Sequence, residues 1–315
     1  MIERLVIVGV GLIGGSFALA LRQAGQVRHI VGVGRSQANL RTALERGVID
    51  EIADSAASAV RGADLVLLAL PVGAMPALLR EIAPHLSSDC IVTDAGSTKQ
   101  DVVAAAKAGL AEKFKQFVPG HPIAGAENSG VTAARADLYR GRQVVLTPLA
   151  ENAAAMVERV AALWQACGAG VAQMNPEAHD RIFAAVSHLP HLAAFALVDD
   201  LAGRSEADTY FRYAGSGFRD FTRIAGSHPE MWRDIALANR EAVLAELEAY
   251  IAELEQIRGL LARGDAAGLE AIFQRASHAR NNWAHNAPQP SFPRKRESST
   301  ASQEVDSRFR GSDET

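Results

Sequence analysis

The sequence predicts an α/β fold in which a doubly wound parallel sheet is followed by an all-helical C-terminal domain. Short apolar segments typical of buried parallel strands alternate with helical segments over residues 1–174. From residue 175 onward, the apolar residues recur only at the spacing of helices. We therefore predict a sheet domain over residues 1–174 and a helical domain over residues 175–285.

The elements of the first half are bounded by glycine and proline, which commonly end helices and strands. The apolar runs predict strands at residues 5–8, 29–33, 64–70, 90–93, 117–118, 143–146 and 170–174. The segments between them predict helices at residues 16–24, 38–46, 76–85, 99–110 and 152–166. In the second half we predict one long helix over 177–201, bent at Pro190, and another over 230–261.

The predicted helix at 230–261 has two apolar faces. One face is formed by Trp232, Ile235, Val243, Leu247, Tyr250, Leu254, Ile257 and Leu261, and the other by Leu237, Leu244 and Ile251. Such a helix usually packs on both sides. This pattern fits a buried core helix and a helix that contacts a second copy of the chain equally well.

The composition is that of a globular protein, with 315 residues, 48% of them hydrophobic, and a formal net charge of −4. A chain that binds nucleic acid or an anionic membrane is usually basic, so neither partner is expected. The uncharged run from Leu5 to Leu21 is rich in glycine, which favours a strand, a turn and a helix over a targeting segment. Cys90 and Cys167 fit no disulfide or zinc spacing, which predicts reduced thiols in a cytoplasmic protein. Residues 286–315 are rich in Pro, Ser, Arg and Glu, which predicts a disordered tail.

A glycine-rich turn follows the first predicted strand and opens the first predicted helix. Its sequence, GVGLIG, has the pattern G-x-G-x-x-G. The first glycine allows the tight turn, the second lets the backbone approach a pyrophosphate, and the third lets the helix pack on the strand. The helix N-terminus adds partial positive charge for the phosphates. The pattern predicts a Rossmann-type dinucleotide site that includes Gly9, Gly11, Leu12, Ile13 and Gly14, and the alternative is a glycine turn without a ligand.

The end of the second predicted strand bears on which dinucleotide binds. NAD proteins usually carry an acidic residue there for the ribose 2′-hydroxyl, whereas this sequence has Arg35 and Ser36. Arginine pairs with a 2′-phosphate and serine can donate a hydrogen bond to it. We therefore expect NADP to be favoured over NAD; the alternative is that Arg35 is a surface charge and either cofactor binds. Leu70 and Pro71, where the chain turns over the edge of the sheet, are assigned to the same cofactor site.

Several further motifs occur in a characteristic order: GVGLIGGS, ALPV, DAGSTK, GHPIAGAENSG, HDRIFAAVSHLPH, GFRDFTRIA and MWRDI. In this order they resemble the prephenate/arogenate dehydrogenase family, and the resemblance runs from about residue 4 to about residue 283. It implies oxidative decarboxylation of prephenate, arogenate or both in tyrosine biosynthesis. The implied products are 4-hydroxyphenylpyruvate or tyrosine, CO2 and NAD(P)H. The resemblance also implies a homodimer formed through the helical domain.

The resemblance assigns the chemistry to two residues at carboxyl ends of predicted strands, where ligands bind in open α/β sheets. His121 would take the proton of the substrate hydroxyl as hydride leaves, because a neutral imidazole is available near pH 7. The alternative for His121 is a structural loop histidine. Ser97 would bond the same hydroxyl and orient the histidine, and its alternative role is the N-cap of a helix.

Three more residues are assigned to the substrate by the resemblance. Arg223 would bind the ring carboxylate through its planar guanidinium, and the alternative is a salt-bridged surface arginine. His191 would lie near the side-chain end of the substrate, and Glu127 at the mouth of the cleft. His179 and His188 fit core or interface positions equally well. No third ligand accompanies His188 and His191, and the chemistry needs no metal, so none is expected.

Two other classes of function fit parts of the sequence. One is another two-domain oxidoreductase of the β-hydroxyacid dehydrogenase or imine reductase type, which would be expected to use a lysine of the helical domain. Residues 116–294 contain no lysine, which disfavours it. The other is a nucleotide-binding redox sensor, which would keep the glycine turn but would need neither His121 nor Arg223.

Overall fold

The structure is a computed structural model that describes residues 1–125 and 128–286. Its strands are β1 (Ile2–Val8), β2 (Val27–Val33), β3 (Glu51–Ile52), β4 (Leu65–Leu68), β5 (Ile91–Asp94), β6 (Phe117–Val118), β7 (Gly120–Pro122), β8 (Gln143–Leu146) and β9 (Gly170–Gln173). Its α-helices are α1 (Leu12–Gln23), α2 (Gln37–Glu45), α3 (Ala56–Ala59), α4 (Met75–Ile82), α5 (Gln100–Leu110), α6 (Ala154–Ala166), α7 (Pro176–Phe183), α8 (Leu189–Ala202), α9 (Ala207–Arg212), α10 (Ser216–Thr222), α11 (Pro229–Ala238), α12 (Arg240–Arg263) and α13 (Ala266–Asn286).

The first six strands form one parallel sheet in the order β3-β2-β1-β4-β5-β6, which confirms the predicted doubly wound architecture. The last three form a separate sheet in which β7 runs antiparallel to β8 and β8 runs parallel to β9. The strands predicted at 143–146 and 170–174 therefore belong to a second sheet. Strands β3 and β7 were not predicted, because they are short and, unlike β6, contain no run of apolar residues.

Alternate residues of β1 enter two different hydrophobic cores. Leu5 and Ile7 join the core that contains Phe17 of α1 and Trp164 of α6, whose ring centroids lie 4.5 Å apart. Val6 lies on the opposite face, in the core that contains residues of α3, α4 and α5. Each such side chain contributes about 1.5–3 kcal/mol when fully buried. Helices thus cover both faces of the sheet, and the carboxyl ends of the strands remain as the place for a ligand.

Both long helices predicted in the second half differ from the structure in detail. The helical stretch from Pro176 to Ala202 is continuous, but residues 184–188 form a π-helical turn just before Pro190. Proline has no N–H to continue the α-helical hydrogen bonds, and such turns accommodate the irregularity. The single helix predicted over 230–261 is wrong, since α11 and α12 are separated at Asn239, whose side chain is buried and hydrogen-bonded.

The C-terminal half is helical throughout its described part, as predicted. The stretch Pro176–Ala202 is long and apolar enough, by length and composition alone, to cross a membrane, with a mean hydropathy of 1.5 over an 18-residue window of which 22% is buried. Apart from Met1 and Leu44, every exposed large apolar side chain among the described residues lies in this helical half. The apolar surface is thus concentrated on one half of the molecule.

Both cysteines are buried free thiols, as the sequence predicted. Burial raises the pKa of Cys90 and of Cys167 to about 12, so neither is a reactive thiolate at neutral pH. The predicted disordered tail lies outside the described residues, except that Asn286 is the last residue of α13.

Candidate active site

The glycine turn between β1 and α1 has the geometry of a phosphate cradle. Gly9 has a φ of +99°, and a Cβ there would overlap the carbonyl oxygen of Ala69. A Cβ on Gly14 would lie 2.7 Å from Cγ2 of Ile7, so the fold requires glycine at this position for close packing. A Cβ on Gly11, by contrast, would meet no atom within 4 Å. The second glycine therefore opens onto free space in front of the helix, which fits a bound pyrophosphate.

The first turn of α1 presents backbone N–H groups to that space. The helical hydrogen bonds begin with Gly15 N to Gly11 O at 2.9 Å, so the N–H groups of Leu12, Ile13 and Gly14 have no intrahelical acceptor. The turn is held from its other side by Tyr139, whose hydroxyl donates to Ile13 O at 2.6 Å. A preformed row of donors of this kind suits an anionic ligand.

A side chain that the sequence analysis did not single out also fixes the turn. Asn39 of α2 donates from Nδ2 to Val10 O at 2.6 Å and accepts at Oδ1 from Val131 N at 3.1 Å. This one amide links the cradle, α2 and the loop around residue 131. Asn39 follows Ser36 by three residues, and its own N–H donates to Ser36 Oγ at 3.2 Å.

The residues expected to select the dinucleotide lie beside the cradle. Gly9 N donates to Val33 O at 2.8 Å, which places the end of β2 next to the turn. Arg35 is exposed just beyond that end, and Ser36 is the exposed N-cap of α2. The bond that Ser36 accepts uses a lone pair and leaves its O–H as a donor. Leu70 and Pro71 are half-buried directly after β4, on the other side of the turn.

His121, predicted to follow directly after the strand at 117–118, lies within β7, where it is 9% exposed. Its Nδ1 is 2.8 Å from Nε2 of His179, and Nδ1 of His179 is 2.8 Å from Oδ1 of Asp180. Phe183 packs against both imidazoles, with centroid distances of 4.9 and 4.5 Å. Burial, with smaller contributions from His179 and from the positive charge of Lys99, holds the pKa of His121 well below its ordinary value. His121 is therefore neutral at pH 7, as a proton acceptor must be.

Asp180 connects this pair of histidines to the sheet domain. Its two carboxylate oxygens accept from Lys99 N and Gln100 N, each at 2.8 Å, at the start of α5. A carboxylate of the helical domain thus caps a helix of the sheet domain. Its negative charge is attracted by the partial positive charge of the helix N-terminus. Burial raises the pKa of Asp180, but the hydrogen bonds from His179 and these backbone groups outweigh burial and lower it.

Ser97 lies half-buried in the loop between β5 and α5. The alternative role considered for it, the N-cap of α5, does not match the structure, because the N-cap is Lys99. His188 is buried at the same junction and accepts at Nδ1 from Asn239 Nδ2 at 3.1 Å. Burial lowers the pKa of His188 to about 4, and the negative charge of Asp180 and, to a smaller extent, an interaction with the backbone of Ser97 oppose this shift. His188 and His179 therefore both lie where the two domains meet.

A buried ion pair joins the DAGSTK loop to the strand of His121. The ammonium of Lys99 contacts Asp94 and donates to Gly120 O at 2.8 Å, and both charged side chains are fully buried. Asp94 also accepts from Gly120 N at 3.0 Å and from Gly96 N at 2.8 Å. Because Gly120 precedes His121, these bonds fix the position of the histidine at the carboxyl end of β5. The sequence analysis assigned no role to Lys99, Asp94 or Asp180, although DAGSTK and HDRIF were among its motifs.

The expected substrate residues of the helical domain lie near one another. His191 stacks on Trp232 with ring centroids 3.5 Å apart, and its Nδ1 bonds Ser187 O at 2.9 Å. Burial lowers the pKa of His191, the bond to Ser187 O opposes this shift, and the positive charge of Arg223 adds to it. The short turn that begins at Arg223 packs against α8, the helix that carries His191. Arg223 is an exposed residue at the end of α10. Glu127 lies outside the described residues.

A nucleotide cradle, together with a buried neutral histidine at the junction with a helical domain, defines a two-domain oxidoreductase that uses a nicotinamide dinucleotide. Residues 17–173 match the nucleotide-binding domain of prephenate dehydrogenase, and residues 175–275 match its dimerization domain. The chain therefore belongs to the prephenate dehydrogenase family. Its activity is that of the family, the dehydrogenation of prephenate or arogenate in tyrosine biosynthesis, which confirms the resemblance.

Three relatives illustrate the similarity. A prephenate dehydrogenase of Bacillus subtilis is 38% identical over 283 residues, which are 89% of this chain and 76% of that protein. A cyclohexadienyl dehydrogenase of Zymomonas mobilis is 35% identical over 88% of this chain and 95% of that protein. The crystal structure of prephenate dehydrogenase from A. aeolicus, in complex with hydroxyphenyl propionate and NAD+, superposes with a TM-score of 0.83 at 39% identity. It covers 90% of this chain and 98% of that one.

Proposed function

We propose that the chain oxidatively decarboxylates prephenate, arogenate or both, and that His121 is the residue that takes the hydroxyl proton of the substrate. The observation that carries this proposal is the buried, neutral imidazole of His121 at the carboxyl end of β5. A base that burial keeps neutral is available without first losing a proton at pH 7. The A. aeolicus relative was crystallised with NAD+ and hydroxyphenyl propionate, which supports the proposal that this chain binds a dinucleotide and a ring-containing acid.

The atoms and electrons of the reaction assign a definite task to His121. NAD(P)+ supplies the acceptor for the hydride that leaves the carbinol carbon of the substrate. His121 takes the hydroxyl proton as this C–H bond breaks. The bond from the ring to its carboxylate then breaks to release CO2, and its electron pair aromatises the ring and reaches the oxygen. His121 returns the proton to that oxygen, so the histidine ends the cycle neutral.

The remaining candidate residues bind and orient the substrate. Arg223 binds the ring carboxylate, and Ser97 bonds the substrate hydroxyl beside His121. A tight grip on the carboxylate opposes its loss as CO2, so Arg223 acts mainly on KM rather than on kcat. His191, stacked on Trp232, binds the side-chain end of the substrate. Glu127, outside the described residues, keeps only the role at the cleft mouth that the resemblance assigns to it.

We further propose that NADP is favoured over NAD. The support is the exposed Arg35 at the end of β2, with Ser36 next to it and no acidic side chain at either position. An arginine there pairs with a 2′-phosphate. The NAD+ in the A. aeolicus relative favours the opposite choice, so the two cofactors must be compared directly.

We propose that two copies of the chain associate through the helical domain, as a cytoplasmic homodimer. The match to a dimerization domain supports association. The proposed surface is the exposed apolar part of the helical half, including Val186, Leu237, Leu244, Ile251, Leu261 and Phe273. Apolar surface of this extent on one half of a molecule is typical of a protein–protein interface.

The test of the reaction is the absorbance of reduced nicotinamide in a grid of prephenate or arogenate with NAD+ or NADP+. We expect turnover in at least one of the four combinations, and the combinations that turn over identify the substrate and the cofactor. The variant His121→Asn should lower kcat by about 10²- to 10⁴-fold, because a positioned base contributes that much. Nucleotide affinity and Tm serve as controls and should stay near those of the wild type. A fall in kcat of less than threefold would remove His121 as the base.

A further inference from the structure

The hydrogen bonds behind His121 determine where its proton lies. Both oxygens of Asp180 accept backbone N–H groups from the start of α5, which keeps the carboxylate ionised and acceptor-only. Nδ1 of His179, 2.8 Å from Asp180 Oδ1, must therefore be the protonated nitrogen of that ring. Burial lowers the pKa of His179, so its other nitrogen, Nε2, carries a lone pair and no proton.

The same reasoning extends one residue further. Nε2 of His179 is an acceptor, and the group 2.8 Å away is Nδ1 of His121. Nδ1 of His121 must then carry the ring proton. A neutral imidazole has only one N–H, so Nε2 of His121 is left with a free lone pair.

We propose that His179 and Asp180 are positioning residues that hold His121 in the tautomer whose Nε2 accepts the substrate proton. This inference rests on the proposed function, because it takes His121 as the base. Asp180 orients His179, and His179 orients His121. When His121 becomes an imidazolium, its Nδ1–H keeps an acceptor, and the carboxylate of Asp180 lies one ring further away to balance the charge.

Packing alone does not explain this arrangement. Phe183 contacts both imidazoles, and an apolar side chain at position 179 could keep that contact. Only an acceptor at this position can bond a protonated Nδ1 of His121, a residue that is buried. The charged and titratable neighbours of the two rings are Asp94 at the end of β5, Lys99 just before α5, Asp180 from α7, and His188 from the π-helical turn.

A matched pair of variants separates the hydrogen bond from the packing. Glutamine at position 179 keeps an oxygen acceptor for His121, whereas leucine has a similar size and no acceptor. For His179→Leu we expect kcat to fall about 100-fold with KM within about threefold, whereas His179→Gln should stay within about 10-fold of the wild type.

A measurement on the wild-type enzyme does not depend on how the variants fold. In protein labelled with ¹⁵N-histidine, the nitrogen chemical shifts distinguish a protonated ring nitrogen from one with a lone pair. The signals of His121 are assigned by their loss in His121→Asn. We expect Nδ1 to be protonated and Nε2 to be free at pH 7, and a proton on Nε2 would overturn the proposal.

The outcomes also separate this inference from the function on which it rests. If His121→Asn retains full activity, the proposed role of His121 fails. If His121→Asn is inactive but a folded His179→Leu has the kcat of the wild type, the role of His121 stands and only the positioning pair is refuted. Equal losses in folded His179→Leu and His179→Gln would likewise refute it, since the acceptor would then make no difference.

Discussion

The nucleotide cradle and the proton site are built from different parts of the chain. The cradle consists of backbone groups within six consecutive residues. Its shape depends on the absence of side chains at three glycines. The proton site consists of side chains from three separated segments, around Lys99, His121 and His179. The comparison indicates that phosphate binding can be encoded locally, whereas placing a base requires the tertiary fold.

The two sites also differ in their electrostatics. The cradle offers the partial positive charge of a helix N-terminus near the surface. The proton site buries a full ion pair, Asp94 with Lys99, and a carboxylate, Asp180, beside neutral histidines. Buried charges are costly unless each is paired and hydrogen-bonded. The proton site should therefore be much more sensitive to the loss of a single side chain than the cradle.

The largest effect is expected from removing one partner of the buried ion pair. Lys99→Met leaves the carboxylate of Asp94 without its counter-charge and should cost about 3–5 kcal/mol in the free energy of unfolding. Denaturant titration measures this loss. The control is Lys107→Met on the exposed face of α5, where the change should be small. A loss of less than about 1 kcal/mol for Lys99→Met would show that the proton site tolerates an unpaired charge.

A smaller effect, on binding rather than folding, is expected at the second glycine of the cradle. Gly11→Ala adds a methyl group that meets no protein atom but occupies the space assigned to the pyrophosphate. We expect the Kd for NAD(P)+ to rise about 10- to 100-fold, equivalent to about 1.4–2.7 kcal/mol, with little change in Tm. Gly9→Ala provides the contrast, because its methyl group overlaps Ala69 and should destabilise the fold. Unchanged nucleotide affinity in Gly11→Ala would place the phosphates elsewhere.

The smallest effect is expected where the nucleotide site depends on a side chain. Arg35→Ala should lower kcat/KM for NADP+ about 10-fold, because a hydrogen bond to a charged group contributes about 1.5 kcal/mol or more. The value for NAD+ should change by less than about twofold, as expected for a solvated surface charge. Arg41→Ala, an exposed arginine of α2, controls for the loss of one positive charge. Equal effects on both cofactors would identify Arg35 as a surface charge.

Sequence reasoning succeeded where the signal is local. The parallel sheet followed from apolar runs separated by helices, and the glycine turn followed from six adjacent residues. It missed the antiparallel β7, which pairs with β8 across an intervening segment and is only three residues long. It also predicted one helix where Asn239 separates two, because the apolar spacing continues through a residue whose side chain is needed at the domain junction.

The candidate site shows the same limit. His121 was identified from the resemblance, but His179 was left equally open as a core or an interface residue. Nothing in the local pattern around His179 indicates that its ring lies 2.8 Å from a residue 58 positions earlier in the chain. Likewise, the sequence around Asp180 gives no sign that this carboxylate caps α5, since the two lie on different domains.

That cap has a consequence for the order in which the protein is assembled during synthesis. The first turn of α5 depends on Asp180, which is 81 positions after Lys99 in the chain. The sheet domain therefore leaves the ribosome with the start of α5 uncapped, and that turn frays until α7 arrives. The nucleotide cradle, by contrast, is fixed by Asn39 and Tyr139, which both precede Asp180 in the chain. The newly made chain can thus acquire its cofactor site early, whereas the proton site forms only when the helical half docks.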